Sequence, residues 1–114
     1  LHDGRGRIWI TVSTRHSPRH LAYRADIADG FIALWQHGRC RIVADGLGYA
    51  NECALDETGK RLFVNETFAR RTTAFDVGDD GSLGNRRIFA QYGAGIYPDG
   101  LALDAEGGLL ITSI

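Results

Sequence analysis

The sequence predicts an all-β fold assembled from propeller blades, and two observations carry that prediction. The first is a repeat. An apolar pair, an Asp, two variable residues, a Gly and an apolar run occur as Ala54-Leu55-Asp56 to Gly59 with Leu62-Phe63-Val64, and again as Ala102-Leu103-Asp104 to Gly107 with Leu109-Leu110-Ile111-Thr112. A third copy opens the chain as Leu1-His2-Asp3 to Gly6 with Ile8-Trp9-Ile10-Thr11. The three Asp residues stand 53 and 48 positions apart, a spacing at which units of several short strands build propeller blades. The second observation is that no uninterrupted amphipathic helical pattern of useful length occurs anywhere.

A propeller closes its ring with roughly four to eight blades. The 114 residues hold one whole repeat, most of the repeat before it and the first strands of the next. The chain is therefore expected to be a portion of a longer protein, with residues 1–44 forming most of one blade, 45–91 a complete blade and 92–114 the start of another.

Taken in order, residues 7–12 alternate and are rich in Ile, Trp, Thr and Val, the signature of a strand. Residues 13–29 carry Arg15, His16, Pro18, Arg19, His20, Tyr23 and Arg24 with little apolar periodicity, and far exceed the length of a hairpin loop. Residues 31–36 and 39–44 read as strands joined by the two-residue turn His37-Gly38. The central repeat predicts strands over 52–55, 61–66, 71–77 and 86–90, with turns at Asp56-Glu57-Thr58-Gly59 and Gly78-Asp79-Asp80-Gly81. The last residues, Ile111-Thr112-Ser113-Ile114, read as a further strand. Because strand direction alternates from the centre of a blade outward, the long segment 13–29, the turn 66–70 and the crossovers 45–50 and 91–98 all fall on one face of the disc.

Composition narrows the partners. Apolar and charged fractions of 44% and 24% are those of a globular chain. A net charge of −1 offers no field for nucleic acid or a membrane surface. Lys60 is the only lysine, so the basic residues are almost all Arg. No apolar run approaches a membrane span and no leader opens this stretch, so a cytoplasmic protein is expected, with a leader on the part before Leu1 left open. Cys40 and Cys53 lie outside any C-x-x-C or zinc-ligand spacing and, on the blade assignment, sit on an outermost and an innermost strand. They are expected to be unlinked.

Several motifs fail for physical reasons. Asp76, Asp79 and Asp80 lack the later bidentate Glu of a calcium-binding EF-hand. His16 and His20 are spaced for zinc on a helix, but Pro18 lies between them and no H-E-x-x-H is formed. Ser13, His16 and an Asp make a triad only on paper, without an elbow motif. Asn65-Glu66-Thr67 is a glycosylation sequon by spelling alone.

Five residues before the repeat Asp stand Asn51 in the central unit and Asp99 in the next. Equivalent positions in a ring of blades converge on its axis, so two oxygen-bearing side chains are aimed at one point, as a hard cation requires. The same residues also suit plain turns, since Asn and Pro98-Asp99-Gly100 favour turns for backbone reasons.

At these residues the chain resembles the regucalcin and gluconolactonase family. The resemblance runs through Asn51, Ala54-Leu55-Asp56 and Gly59, the Arg70 to Asp76 strand, Gly84-Asn85-Arg86-Arg87-Ile88-Phe89-Ala90 and Pro98-Asp99-Gly100-Leu101-Ala102-Leu103-Asp104-Ala105-Glu106-Gly107. It implies a six-bladed β-propeller holding one divalent cation at the top of its channel, Ca²⁺ first, with Zn²⁺, Mg²⁺ or Mn²⁺ as others. It implies that Asn51 and Asp99 are metal ligands, the remaining Glu and Asn lying before Leu1, and that Asp99 is also the general base. The activity implied is metal-assisted hydrolysis of a sugar-type lactone. Arg15 and His16, from their place on the long segment, are the candidates to contact substrate hydroxyls or a carboxylate, with a plain solvated loop as the other reading of these two. A propeller that binds metal or ligand without turnover is the alternative. One departure stands out: Glu52 follows Asn51 where many members carry Gly, placing a second carboxylate beside the site.

Overall fold

A computed structural model describes the whole chain, Leu1–Ile114, as nine strands in three antiparallel sheets. Strands β1 (Arg7–Val12), β2 (Gly30–Gln36) and β3 (Arg39–Leu47) form the first sheet in that order. Strands β4 (Ala50–Leu55), β5 (Arg61–Glu66), β6 (Arg71–Val77) and β7 (Leu83–Gln91) form the second, and β8 (Pro98–Leu103) with β9 (Leu109–Ser113) the third. His2 bridges to Ile8 beside β1, where the innermost strand of the first unit would run. The one helical element is a 3-10 turn at Arg19–Ala22. The all-β expectation is met. Individual strands are longer than predicted: β3 continues through the expected crossover to Leu47, β4 begins at Ala50, and β7 begins at Leu83.

The repeat has a direct structural cause. In each copy the Asp carboxylate folds back over its own turn: Asp3 accepts N–H from Arg5 and Arg7, and Asp104 from Glu106 and Gly108. Asp56 accepts from the Thr58 hydroxyl and from the N–H groups of Lys60 and Arg61. Three residues after each Asp the backbone turns left-handed, with φ of 75°, 70° and 82° at Gly6, Gly59 and Gly107, a conformation that costs glycine least. Asp and Gly recur because this tight turn needs both.

The hairpin between β2 and β3 turns on His37 and Gly38, both at positive φ (53° and 72°), as a two-residue primed turn requires. The turn before β7 is an ordinary hairpin in which Asp80 accepts from the Ser82 N–H and hydroxyl.

The run Leu62-Phe63-Val64 explains how the sheets stack. Alternate side chains leave opposite faces of a strand. Leu62 and Val64 join Trp9, Ile32, Leu34, Leu47 and Cys53 in the core between the first two sheets. Phe63 faces the other way, packing with Ala74 and Leu101 against the third sheet. A strand covered on both faces must be apolar throughout, and each such side chain contributes about 1.5–3 kcal/mol by burial. Cys53 lies in this core and Cys40 is exposed on β3; both are free thiols, as expected.

Candidate functional site

Asn51 and Asp99 do not sit in turns. Each lies inside an innermost strand, at a bulge. In β4 the pairing passes from Ala50 with Glu66 to Cys53 with Val64, leaving Asn51 and Glu52 opposite the single residue Asn65. In β8 it passes from Pro98 with Ser113 to Leu101 with Ile111, leaving Asp99 and Gly100 opposite Thr112. A bulge re-aims a side chain that the pleat would otherwise send into the sheet face. Two bulges at the same height of adjacent inner strands therefore turn both residues the same way. They line one cleft of about 360 Å³ together with Arg19, Tyr23, Tyr49 and Phe68.

The two bulges are fastened to each other by β5 and the residue after it. Asn65, fully buried, donates from Nδ2 to the carbonyls of Asp99 (3.1 Å) and Gly100 (3.0 Å) and accepts the Thr72 hydroxyl. Thr67, also fully buried, donates to the Pro98 carbonyl (2.8 Å) and accepts from Asn51 Nδ2 (3.2 Å). That last bond fixes the amide of Asn51 by its nitrogen and leaves its carbonyl oxygen free to ligate. Gly100 is held against Thr112, whose hydroxyl accepts its N–H; a Cβ there would stand 2.9 Å from that oxygen.

Between Asn65 and Thr67, Glu66 is equally buried and ties the strand end to the crossover. It accepts from the Gly48 N–H (2.7 Å), from Arg71 Nε (2.6 Å) and from the Thr73 hydroxyl. Burial pushes its carboxyl pKa up, but these donors outweigh it and hold the group below its ordinary value. The sequon thus carries scaffold residues, fully enclosed and out of reach of modification.

Asp99 accepts no side-chain hydrogen bond and joins no ion pair within the chain. Glu52, the departure noted in the sequence, is turned away from the cleft: its Oε2 accepts the Leu101 N–H at 3.0 Å, linking the β4 bulge to β8. Its carboxylate is a strand-to-strand tie.

The long segment 13–29 covers the same face, yet Arg15 and His16 stand at its neck, outside the cleft. Arg15 forks onto Asp45 (3.0 and 3.1 Å) and lies over the Phe31 ring, and His16 Nδ1 meets Asp29 at 2.7 Å. Ser13 at the start of the segment, and Arg19 and Tyr23 further along, are the residues that reach the cleft. Tyr23 stacks on Phe68 with ring centroids 4.8 Å apart, and Tyr49 meets both edge-on. Burial raises the Tyr49 pKa, so this phenol stays protonated. Tyr49 also adopts φ of 68°, a left-handed conformation uncommon for an aromatic residue and often found at functional sites.

Sequence reasoning missed Arg19, the aromatic wall, Asn65 and Thr67. The signal for the last two was present: Asn65 and Glu66 end an apolar strand with two polar residues, and polar Thr67 opens the turn that follows.

The donor chemistry fits a hard divalent cation: one amide oxygen held free and one carboxylate without partners, on a common cleft. It is a partial set, since nowhere does the chain gather three or more His, Cys, Asp or Glu side chains. No helix is long and apolar enough to cross a membrane.

Solved structures with this architecture include a luciferin-regenerating enzyme (TM-score 0.78, 19% identity). A regucalcin from Agrobacterium tumefaciens, described as a calcium-binding protein, gives 0.75 and 20%. A gluconolactonase from Xanthomonas campestris gives 0.72 and 26%. The matches cover 97%, 95% and 96% of this chain but 36%, 35% and 38% of those chains. This chain thus spans just over a third of the length of these solved relatives. Nine strands are a similar share of the roughly twenty-four in six four-stranded blades, so the architecture is a portion of a six-bladed β-propeller. The family model for the SMP-30/gluconolactonase/LRE-like region matches residues 1–114 from end to end, and the chain belongs to that family.

Proposed function

We propose that this chain supplies one flank of a metal-assisted lactonase site, with Asn51 and Asp99 as two of the cation's ligands and Asp99 as the general base. The observation that supports it most is the pair of matched bulges, which bring a free amide oxygen and an unpartnered carboxylate to one cleft. Likeness to a gluconolactonase supports the substrate class.

Bound at these residues, a divalent cation would supply Lewis-acid polarisation of the lactone carbonyl. Thr67 holds Asn51 in the orientation that presents its oxygen. The Asp99 carboxylate takes a proton from water as the water oxygen attacks the carbonyl carbon. The ring C–O bond then breaks, the proton passes to the leaving alkoxide oxygen, and an open hydroxy acid results. Tyr23, Tyr49 and Phe68 exclude bulk water from one side of the cleft. Arg15 and His16 act on this reading through the segment that they brace.

A metal-binding propeller without turnover is the second reading, favoured by the likeness to a regucalcin described as calcium-binding. Hydrolysis of gluconolactone by the full-length protein, followed by acid release with and without a chelator, separates the two. Chelation should abolish activity. Asp99→Asn should lower kcat/KM about 100-fold or more, the loss of a base and a ligand together, while Asn51→Asp keeps or tightens metal binding and slows turnover. Chelator-insensitive hydrolysis, or full activity in Asp99→Asn, overturns the lactonase reading. Metal binding without hydrolysis of any lactone establishes the second.

A further inference from the structure

The cleft that holds Asn51 and Asp99 also contains a guanidinium that forms no ion pair within the chain. The other arginines of the long segment are engaged: Arg15 with Asp45, and Arg24 with Asp26. Arg19, between them, forms no ion pair and donates no hydrogen bond, and it lines the cleft. Its position is nevertheless fixed. It opens the 3-10 turn Arg19–Ala22, whose Ala22 is 1% exposed, and the next residue, Tyr23, stacks on Phe68. An unpaired guanidinium on an anchored turn, exposed and lining the cleft beside an aromatic wall, suits an anion that accepts its planar fork. The ring faces of Tyr23, Tyr49 and Phe68 meanwhile offer apolar area to the C–H face of a sugar ring.

We propose that Arg19 is a specificity-determining residue that selects lactones carrying a second, anionic group, a carboxylate or a phosphate, over neutral sugar lactones. The inference rests on the lactonase reading for its substrate class. The reacting carbonyl lies towards Asn51 and Asp99, the ring lies along the aromatic wall, and the anionic substituent reaches Arg19. Arg19 takes no part in bond making; it binds the end of the substrate that does not react.

The test compares wild type, Arg19→Lys and Arg19→Gln in the full-length protein on gluconolactone (neutral), glucarolactone (carboxylate) and phosphogluconolactone (phosphate). Wild type should favour one of the two anionic lactones over the neutral one by about tenfold or more, the size expected of a charge-assisted pair. Which of the two is favoured identifies the anion. Arg19→Gln should remove that preference, mainly through KM, with a loss on the anionic lactones about tenfold larger than any loss on gluconolactone. Arg19→Lys should recover part of it, since charge returns without the fork. Equal losses on all three lactones, or a wild type that favours the neutral lactone, overturn the inference. Calorimetry with ring sugars that cannot be hydrolysed as lactones keeps the outcome separate from the lactonase reading. If no lactone is hydrolysed, tighter binding of glucuronate or glucose 6-phosphate than of neutral glucose, lost in Arg19→Gln, still upholds Arg19 as the anion site. Equal affinity for all three refutes it.

Discussion

The two ends of the same inner strands use the same residue type in opposite ways. At one end Asp3, Asp56 and Asp104 are fully engaged: Asp3 alone accepts from two backbone N–H groups, from Arg7 Nε at 2.6 Å and from the Trp9 indole at 3.1 Å. At the other end Asp99 accepts nothing from the chain, although buried Asn65 and Thr67 hold the backbone around it. The identical, regularly spaced Asp residues build the turn. The position that varies between Asn and Asp from one unit to the next is the one to which we assign the chemistry. On that proposal, regular recurrence marks what every blade needs in order to fold, and departure from it marks the site.

The largest effect that would break this comparison is one on stability. Asp3→Ala strips Arg7, whose side chain is only 4% exposed, of its carboxylate and should cost about 3 kcal/mol or more in denaturant unfolding. Activity per folded molecule should be unchanged. Asp99→Ala should show the reverse, with stability kept within about 0.5 kcal/mol, because it removes no bond made within the chain. Equal stability losses in the two variants would end the distinction between turn Asp and site Asp.

A smaller effect probes the link between scaffold and site. Thr67→Val keeps the volume of a buried side chain but removes both the bond to the Pro98 carbonyl and the acceptor for Asn51. It should cost about 1–2 kcal/mol and also weaken cation binding about tenfold, an effect typical of losing the partner that orients a ligand. Unchanged cation affinity would show that the bulge positions Asn51 without Thr67.

Most of the fold was legible because the turn chemistry is local. Asp-x-x-Gly and His37-Gly38 state their own backbone conformations, and alternation states which strands are buried. The positions of Asn51 and Asp99 followed from counting back along the repeat, but their bulges did not. A bulge is an extra residue relative to a partner strand, invisible until the pairing of β4 with β5 and of β8 with β9 is known. The long segment was the least legible part. Its residue types suggested Arg15 and His16 as the reaching groups, but Asp29 and Asp45, distant in sequence, hold those two at the neck. The register of the segment over the cleft instead puts Arg19 and Tyr23 there.

The smallest effect sharpens the comparison through pH. Burial works to raise the Asp3 pKa, but the Arg7 guanidinium, two backbone N–H groups and the Trp9 indole overcome it and hold the carboxyl at about 2, below its ordinary 3.8. A carboxyl whose pKa is depressed on folding binds its proton more readily in the unfolded chain. Its contribution to stability is therefore complete above pH 4 to 5 and is lost as pH falls from about 4 through about 2. Asp3→Asn cannot take up that proton, so subtracting its unfolding free energy from that of wild type isolates the titration from every other acidic group. The difference should be flat near neutral pH and narrow by about 1–2 kcal/mol between pH 4 and pH 2, allowing for solvent screening. Urea unfolding at fixed ionic strength reads it directly. A difference that stays flat down to pH 2 would mean that the Asp3 carboxylate is no better held in the folded chain than in the unfolded one, and that the turn is built by Gly6 and the backbone alone.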